Sequence, residues 1–173
     1  AISGASKTFQ TFPEIVDNVI PYIKNEEEKS EKEPMKILGN IVSGKIELAN
    51  EPNISATCIR VASSDGHMTS VDIELQNDIN ENEFLKAIKN YKNPIAELNL
   101  PCAPKEFMKY FNEEDRPQTK LDRDFGDGMG ISVGRLRKDS FGWKFVSLSH
   151  NTIRGAAGGA ILTAELLKAK GYL

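Results

Sequence analysis

The stretch Ala56-Thr57-Cys58-Ile59-Arg60-Val61-Ala62-Ser63-Ser64-Asp65-Gly66-His67-Met68-Thr69-Ser70 sets two β-type runs on either side of turn chemistry. The first run ends near Val61, and Ser63 to Gly66 has the composition of a tight turn. From Thr69 to Leu75, apolar Val71, Ile73 and Leu75 alternate with Ser70, Asp72 and Glu74. The spacing predicts a hairpin that carries Arg60 near the end of one strand and His67 at the start of the next, at one end of a sheet. An arginine fork donates two parallel hydrogen bonds to a carboxylate or phosphate. A histidine moves a proton near neutral pH. Side by side they suit chemistry on a small acidic substrate. On spacing alone a solvated arginine and a plain loop histidine are the commoner case, so the rest of the chain has to decide.

Its bulk properties narrow the classes. At 173 residues the chain is long enough to bury a core and fits one domain more easily than two. With 39% hydrophobic and 27% charged residues, the composition is that of a globular protein. Lys plus Arg number 22 against 25 Asp plus Glu, a net charge of −3, so no basic excess points to nucleic acid or to an anionic membrane surface. No apolar run approaches a membrane span, and the opening AISGASKTFQ has no signal-peptide pattern. Cys58 and Cys102 lie far apart with no CxxC or Cys/His cluster, which argues against a disulfide framework or a metal site and for a reducing cytoplasm. The first residues, an apolar pair and Ser-Gly without a Met, look like the interior of a longer protein.

Outward from the central stretch, Ala1 to Ser6 suggests a strand end turning at Ser3-Gly4, and Phe12 to Ile23 a short amphipathic segment. Asn25 to Ile41 is a charged helix candidate with acids early and bases later, as the helix dipole favours. Pro34 lacks the N–H that would bond Ser30, so a kink or a new helical segment is expected there. Lys45 to Asn53 suggests a short apolar segment and loop. Asn80 to Glu83 is a capping-box signal, followed by Phe84, Leu85, Ile88 and Tyr91 at helical spacing. A short strand is expected within Glu106 to Phe111, a long exposed loop from Asn112 to Gly128, and strands at Met129 to Arg137 and Trp143 to Ser149. A closing helix spans Arg154 to Lys170. Its Gly155-Ala-Ala-Gly-Gly-Ala160 start lacks a phosphate-loop pattern and suits close packing of a helix on a sheet. Strands mixed with helices in this order predict an α+β fold with helices covering a mixed sheet.

Three separated stretches then carry a family resemblance. Leu148-Ser-His-Asn-Thr-Ile-Arg-Gly-Ala-Ala-Gly-Gly-Ala-Ile-Leu162, preceded by Val133-Gly-Arg-Leu-Arg137, looks like the closing signature of aspartate-semialdehyde dehydrogenases of the fungal and archaeal branch. Glu33-Pro-Met-Lys-Ile-Leu38 is similar to that family's Glu-x-x-Lys-Ile-Leu, and the Cys58-Ile-Arg60 to His67 stretch completes the set. Together they cover essentially all 173 residues in the family's order.

The resemblance implies a catalytic and dimerisation domain over residues 1–173, with the C-terminal fold of the glyceraldehyde-3-phosphate dehydrogenase type. It implies an upstream NADP-binding Rossmann domain and nucleophilic Cys segment lying outside this chain, since neither Cys58 nor Cys102 has the family's Asn-Cys-Ser/Thr context. Carried over residue by residue, His67 is the general acid/base and Arg60 the bidentate partner of the substrate carboxylate. Glu33 pairs with the substrate's amino end, Lys36 binds phosphate, Asn151 faces the nicotinamide end of NADP, and Ser3 and Gly4 line the loop near thiol and cofactor. Glu33 and Lys36 are three apart, on one face of a helix. The reaction implied is NADPH-dependent reduction of aspartyl phosphate to the semialdehyde, within lysine, methionine and threonine biosynthesis, by a homodimer or higher oligomer formed through this domain. The 173-residue chain alone is expected to bind no NADP and to be inactive. A related malonyl-CoA reductase and a non-catalytic dimerisation or substrate-binding module are the alternatives.

Overall fold

Contacts gather the chain, described over residues 1–173 in a computed structural model, into two units. One comprises Ile2 and Lys7–Ala62, the other Ala1, Ser3–Ser6 and Ser63–Leu173.

In the first unit, Phe12 to Ile23 forms a 3-10 turn at Pro13–Ile15 and a two-residue strand, β1 (Val19–Ile20), rather than one amphipathic segment. Asp17 adopts φ 56°, and the Asn18 carboxamide takes the Val19 N–H at 2.8 Å, which ends the turn before a helix can propagate. Helix α1 (Glu26–Ile37) follows and runs through Pro34 as one element, the expected break being absent. Only the last turn lies beyond the proline, so a single intrahelical bond is lost. Two of its acids turn out to be structural. Glu31 accepts the Ala56 N–H at 3.0 Å and Glu27 the Cys58 N–H at 2.9 Å, satisfying backbone donors of an extended segment. Strands β2 (Asn40–Val42) and β3 (Lys45–Glu47) form a hairpin where sequence suggested an apolar segment and loop. Its Ser43-Gly44 turn has φ 50° and 76°, the left-handed pair that matches strand twist. Strand β4 (Arg60–Val61) pairs antiparallel with β1, Ile20 facing Arg60. Ile2 and Ile15 are fully buried.

The second unit is built on a four-stranded mixed sheet. Its strands are β5 (His67–Ile73), β6 (Met108–Phe111), β7 (Ile131–Asp139) and β8 (Gly142–Ser149), in the order β5-β8-β7-β6. The β6–β7 pair is parallel and the others antiparallel. Helix α2 (Glu81–Lys89) carries the expected capping box, Asn80 accepting the Glu83 N–H at 3.0 Å and Glu83 the Asn80 N–H at 2.8 Å. It covers one sheet face, with Phe84 on Trp143 and Phe145 at centroid distances of 5.3 and 6.1 Å.

The segment Asn112 to Gly128 is not the exposed loop its composition suggests. It holds helix α3 (Thr119–Asp122) and lies over the other face. Asp122 is buried, clasped by the Arg116 guanidinium (Nε to Oδ2, 2.7 Å) and by the Gln118 N–H at 2.6 Å. The Asp122 carbonyl accepts the buried Ser132 hydroxyl from β7 at 3.1 Å. Charged and turn-forming residues here close a polar network over the sheet. The closing segment begins with a wide helical turn at Ile153–Ala157, departs from helical geometry at Ala156, and resumes as α4 (Gly158–Ala169). A Cβ at Gly158 would meet Met129 Sδ at 2.5 Å, the close packing that a small residue permits. No helix is long and apolar enough to cross a membrane.

Candidate active site

His67 stands at the first position of β5, opposite Ser149 at the end of β8, and is exposed. What precedes it is tightly held. Gly66 is buried with φ 95°, a conformation that only glycine adopts readily, and its N–H donates to Asn151 Oδ1 at 2.8 Å. The Ser63 hydroxyl donates to the Asp65 carbonyl at 3.0 Å, and Arg123 Nη1 donates to Ser64 Oγ at 2.7 Å. This is the turn that Ser-Ser-Asp-Gly encodes, with an arginine from the segment after α3 bracing it.

The turn at Ser3–Ala5 belongs to the same unit and is 3-10 rather than a strand end, closed by the Ser6 N–H on the Ser3 carbonyl at 2.8 Å. The Ser3 N–H donates to the Ser64 carbonyl at 3.0 Å, and Asn151 Nδ2 donates to Ser3 Oγ at 2.9 Å. A Cβ placed on Gly4 would lie 3.6 Å from His67 Nε2, so the turn brings its glycine alongside that edge of the imidazole. Ser3, Gly4, His67 and Asn151, four of the seven residues singled out in sequence, therefore meet at one corner of the sheet.

The other three lie in the first unit. Arg60 is half-buried in β4, while Glu33 and Lys36 are exposed on α1, on the side away from Glu27 and Glu31 by helical spacing. The hairpin expected to join Arg60 to His67 does not form: β4 pairs with β1, and β5 with β8. Two-residue β4 is followed by a turn rather than a continuous ladder, and β5 finds its seven-residue partner in β8.

Sequence reasoning passed over Asp65, Arg123, His150 and Thr152. The Thr152 hydroxyl lies 3.3 Å from Asp65 Oδ1 and 3.2 Å from His150 Nδ1. His150 is buried, with Nδ1 accepting the Ile153 N–H at 3.3 Å and Nε2 3.6 Å from Asp124 Oδ1. The signals were adjacency to His67 and Asn151 and the fact that the chain has only two histidines. Partial burial works to raise the Asp65 carboxyl, but the Ser3 and Thr152 hydroxyls, then His150 and Arg123, hold it below the ordinary carboxylate value.

The cysteines sit elsewhere. The Cys102 N–H donates to Glu165 Oε2 at 2.9 Å, and the same carboxylate, through its hydrogen bond to the thiol, raises that thiol's pKa. Cys58 Sγ lies 3.8 Å from Ser30 Oγ in the first unit. No group of three or more His, Cys, Asp or Glu side chains is arranged to hold a metal ion.

A mixed sheet packed with helices is the α+β fold of the C-terminal domain in dehydrogenases of the glyceraldehyde-3-phosphate type. Residues 3–154 match the semialdehyde dehydrogenase dimerisation domain, and the chain belongs to that family. It is 46% identical over 168 residues to an aspartate-semialdehyde dehydrogenase of Archaeoglobus fulgidus, across 96% of this chain and 48% of the relative. A malonyl CoA reductase (NADP) of Metallosphaera sedula is 36% identical across all of this chain and 50% of its own length. Among solved structures, aspartate semialdehyde dehydrogenase with NADP from Candida albicans superimposes with a TM-score of 0.85 at 38% identity, covering 96% of this chain and 48% of that one. The chain thus spans about half the length of the relatives it matches.

Proposed function

We propose that residues 1–173 form the catalytic and dimerisation domain of an NADP-dependent aspartate-semialdehyde dehydrogenase. The observation that supports this most is the corner of the sheet where Asn151 holds both the Gly66 N–H and the Ser3 hydroxyl, with Gly4 beside His67. Family membership and the enzyme names of relatives in two kingdoms point the same way.

In this reading His67 takes the proton of the attacking thiol and that of the hemithioacetal hydroxyl, or returns them in reverse, a role that needs an exposed imidazole on a fixed backbone. The Asn151 amide keeps one N–H beyond its bond to Ser3, and Gly4 offers a surface without a side chain, so these residues suit the carboxamide end of a nicotinamide. The cofactor, when bound, supplies the hydride. In the first unit Arg60 is assigned to the substrate carboxylate, Glu33 to its amino group and Lys36 to phosphate, each by its own charge. The nucleophile is assigned to neither cysteine of this chain: Glu165 raises the Cys102 thiol, and the Cys58 thiol meets the Ser30 hydroxyl. Residues 1–173 alone are therefore expected to show no turnover.

The M. sedula relative keeps a second reading in view, because an arginine that binds a carboxylate serves malonyl-CoA as well. The test is to express the complete gene and assay NADP-dependent oxidation of aspartate semialdehyde in phosphate, beside NADPH-dependent reduction of malonyl-CoA. Activity with the semialdehyde upholds the proposal, activity with malonyl-CoA alone transfers it to the second reading, and activity with neither overturns both.

A further inference from the structure

We propose that Asp65 is a positioning residue for His67, acting through the hydroxyls of Ser3 and Thr152. The inference rests on the assignment of His67 as the proton-transfer group, and it adds a residue that assignment does not include.

Proton directions lead to it. Gly66 N–H is a donor, so the Asn151 atom facing it is the carbonyl oxygen, and the amide nitrogen faces Ser3. That nitrogen only donates. Ser3 Oγ therefore accepts there, and its own proton is left for the Asp65 carboxylate, which the Ser3 hydroxyl helps to hold below its ordinary value. His150 Nδ1 is already an acceptor for the Ile153 N–H, and the Thr152 hydroxyl lies between it and Asp65 Oδ1. The result is a ring: Gly66 to Asn151, Asn151 to Ser3, Ser3 to Asp65, and Asp65 back along the chain to Gly66. The Ser3–Ser64 backbone bond closes a second loop inside it. Asp65 accepts from two segments, around residues 3 and 152, that have no covalent tie to the turn. His67 follows this ring directly, and the Ser3–Ala5 turn passes its Nε2. A carboxylate with two oxygens is the acceptor that can hold two hydroxyl donors at once. Without it Ser3 and Thr152 can rotate to other partners, and the turn that aims the imidazole loosens.

Two readouts test the proposal. In the 173-residue chain, hydrogen exchange of the Gly66 amide is followed by NMR; in the product of the complete gene, kcat and KM are followed for the semialdehyde. Asp65→Ala is expected to speed Gly66 exchange by about tenfold and to lower kcat by about tenfold or more, with KM within about threefold. Asp65→Asn, which keeps one of the two acceptor oxygens, is expected to fall between wild type and Asp65→Ala on both. Asp65→Ala within about twofold of wild type on both readouts overturns the proposal. So does Asp65→Asn within about twofold of wild type on both, because a single acceptor oxygen would then suffice for the two hydroxyls. If Asp65→Ala does not fold, Thr152→Val removes one of the two donors, and unchanged Gly66 exchange in it is contrary to the proposal. Should the wild type lack semialdehyde activity, the functional assignment fails while Gly66 exchange still decides whether Asp65 holds the turn.

Discussion

Replacing Gly66 with alanine puts the backbone geometry beneath His67 to a direct test. At φ 95° an L-residue is outside its comfortable range, which costs about 1–2 kcal/mol. The new methyl would lie 3.2 Å from Leu148 Cδ1, 3.3 Å from Arg123 Cβ and 3.4 Å from Thr119 Cγ2. Leu148 is only 1% exposed and has nowhere to retreat, so crowding adds about 1–3 kcal/mol. The sum is about 3 kcal/mol, or a fall in Tm of about 6–12 °C for a chain of this size. Trp143, the sole tryptophan and 4% exposed in the same unit, reports the transition by fluorescence in urea or on heating. Gly171→Ala is the control. It shares a positive φ of 78° but meets nothing within 4 Å, so only the backbone cost of about 1 kcal/mol applies. A Gly66→Ala protein within about 0.5 kcal/mol of wild type would refute the reasoning.

Asp122 and Cys102 give two further tests. The Asp122 carboxyl is held below its ordinary value first by the Arg116 hydrogen bond, against the cost of burial, and then by the Gln118 N–H. A carboxylate depressed in the fold contributes stability that is present above the unfolded value of about 4 and is lost as pH falls through the folded value. The urea midpoint of wild type should therefore fall more steeply below pH 4 than that of Asp122→Asn; parallel curves would contradict this. Because the Glu165 carboxylate raises the Cys102 thiol, less thiolate is present at a given pH. Iodoacetamide at pH 8 should modify Cys102 faster in Glu165→Gln than in wild type, and an equal or slower rate would exclude the hydrogen bond as the cause.

Much of the fold was legible because its signals are local. The capping box before α2, the alternation in β5 and β8 and the small residues at the start of the closing helix each act over a few positions. What stayed hidden depends on partners distant in sequence. Nothing near Arg60 announces that its strand pairs with Val19–Ile20, and the Asp, Arg and Pro content of residues 112–128 signals a loop equally well whether solvent or a sheet lies beneath it. The same holds at the site. Asp65 was visible as turn chemistry, whereas its role became apparent only once Ser3 and Thr152 stood beside it. Proline gave the opposite lesson: in the last turn of α1 it interrupts almost nothing.

If His67 moves the proton in a semialdehyde dehydrogenase, as proposed, His67→Gln in the product of the complete gene removes that step. Glutamine keeps a polar side chain of similar reach but cannot exchange a proton near neutral pH. A loss of kcat for aspartate semialdehyde oxidation of about 100-fold or more is expected, with far-UV circular dichroism and Tm unchanged. A variant that folds normally and retains kcat within about threefold of wild type would contradict it.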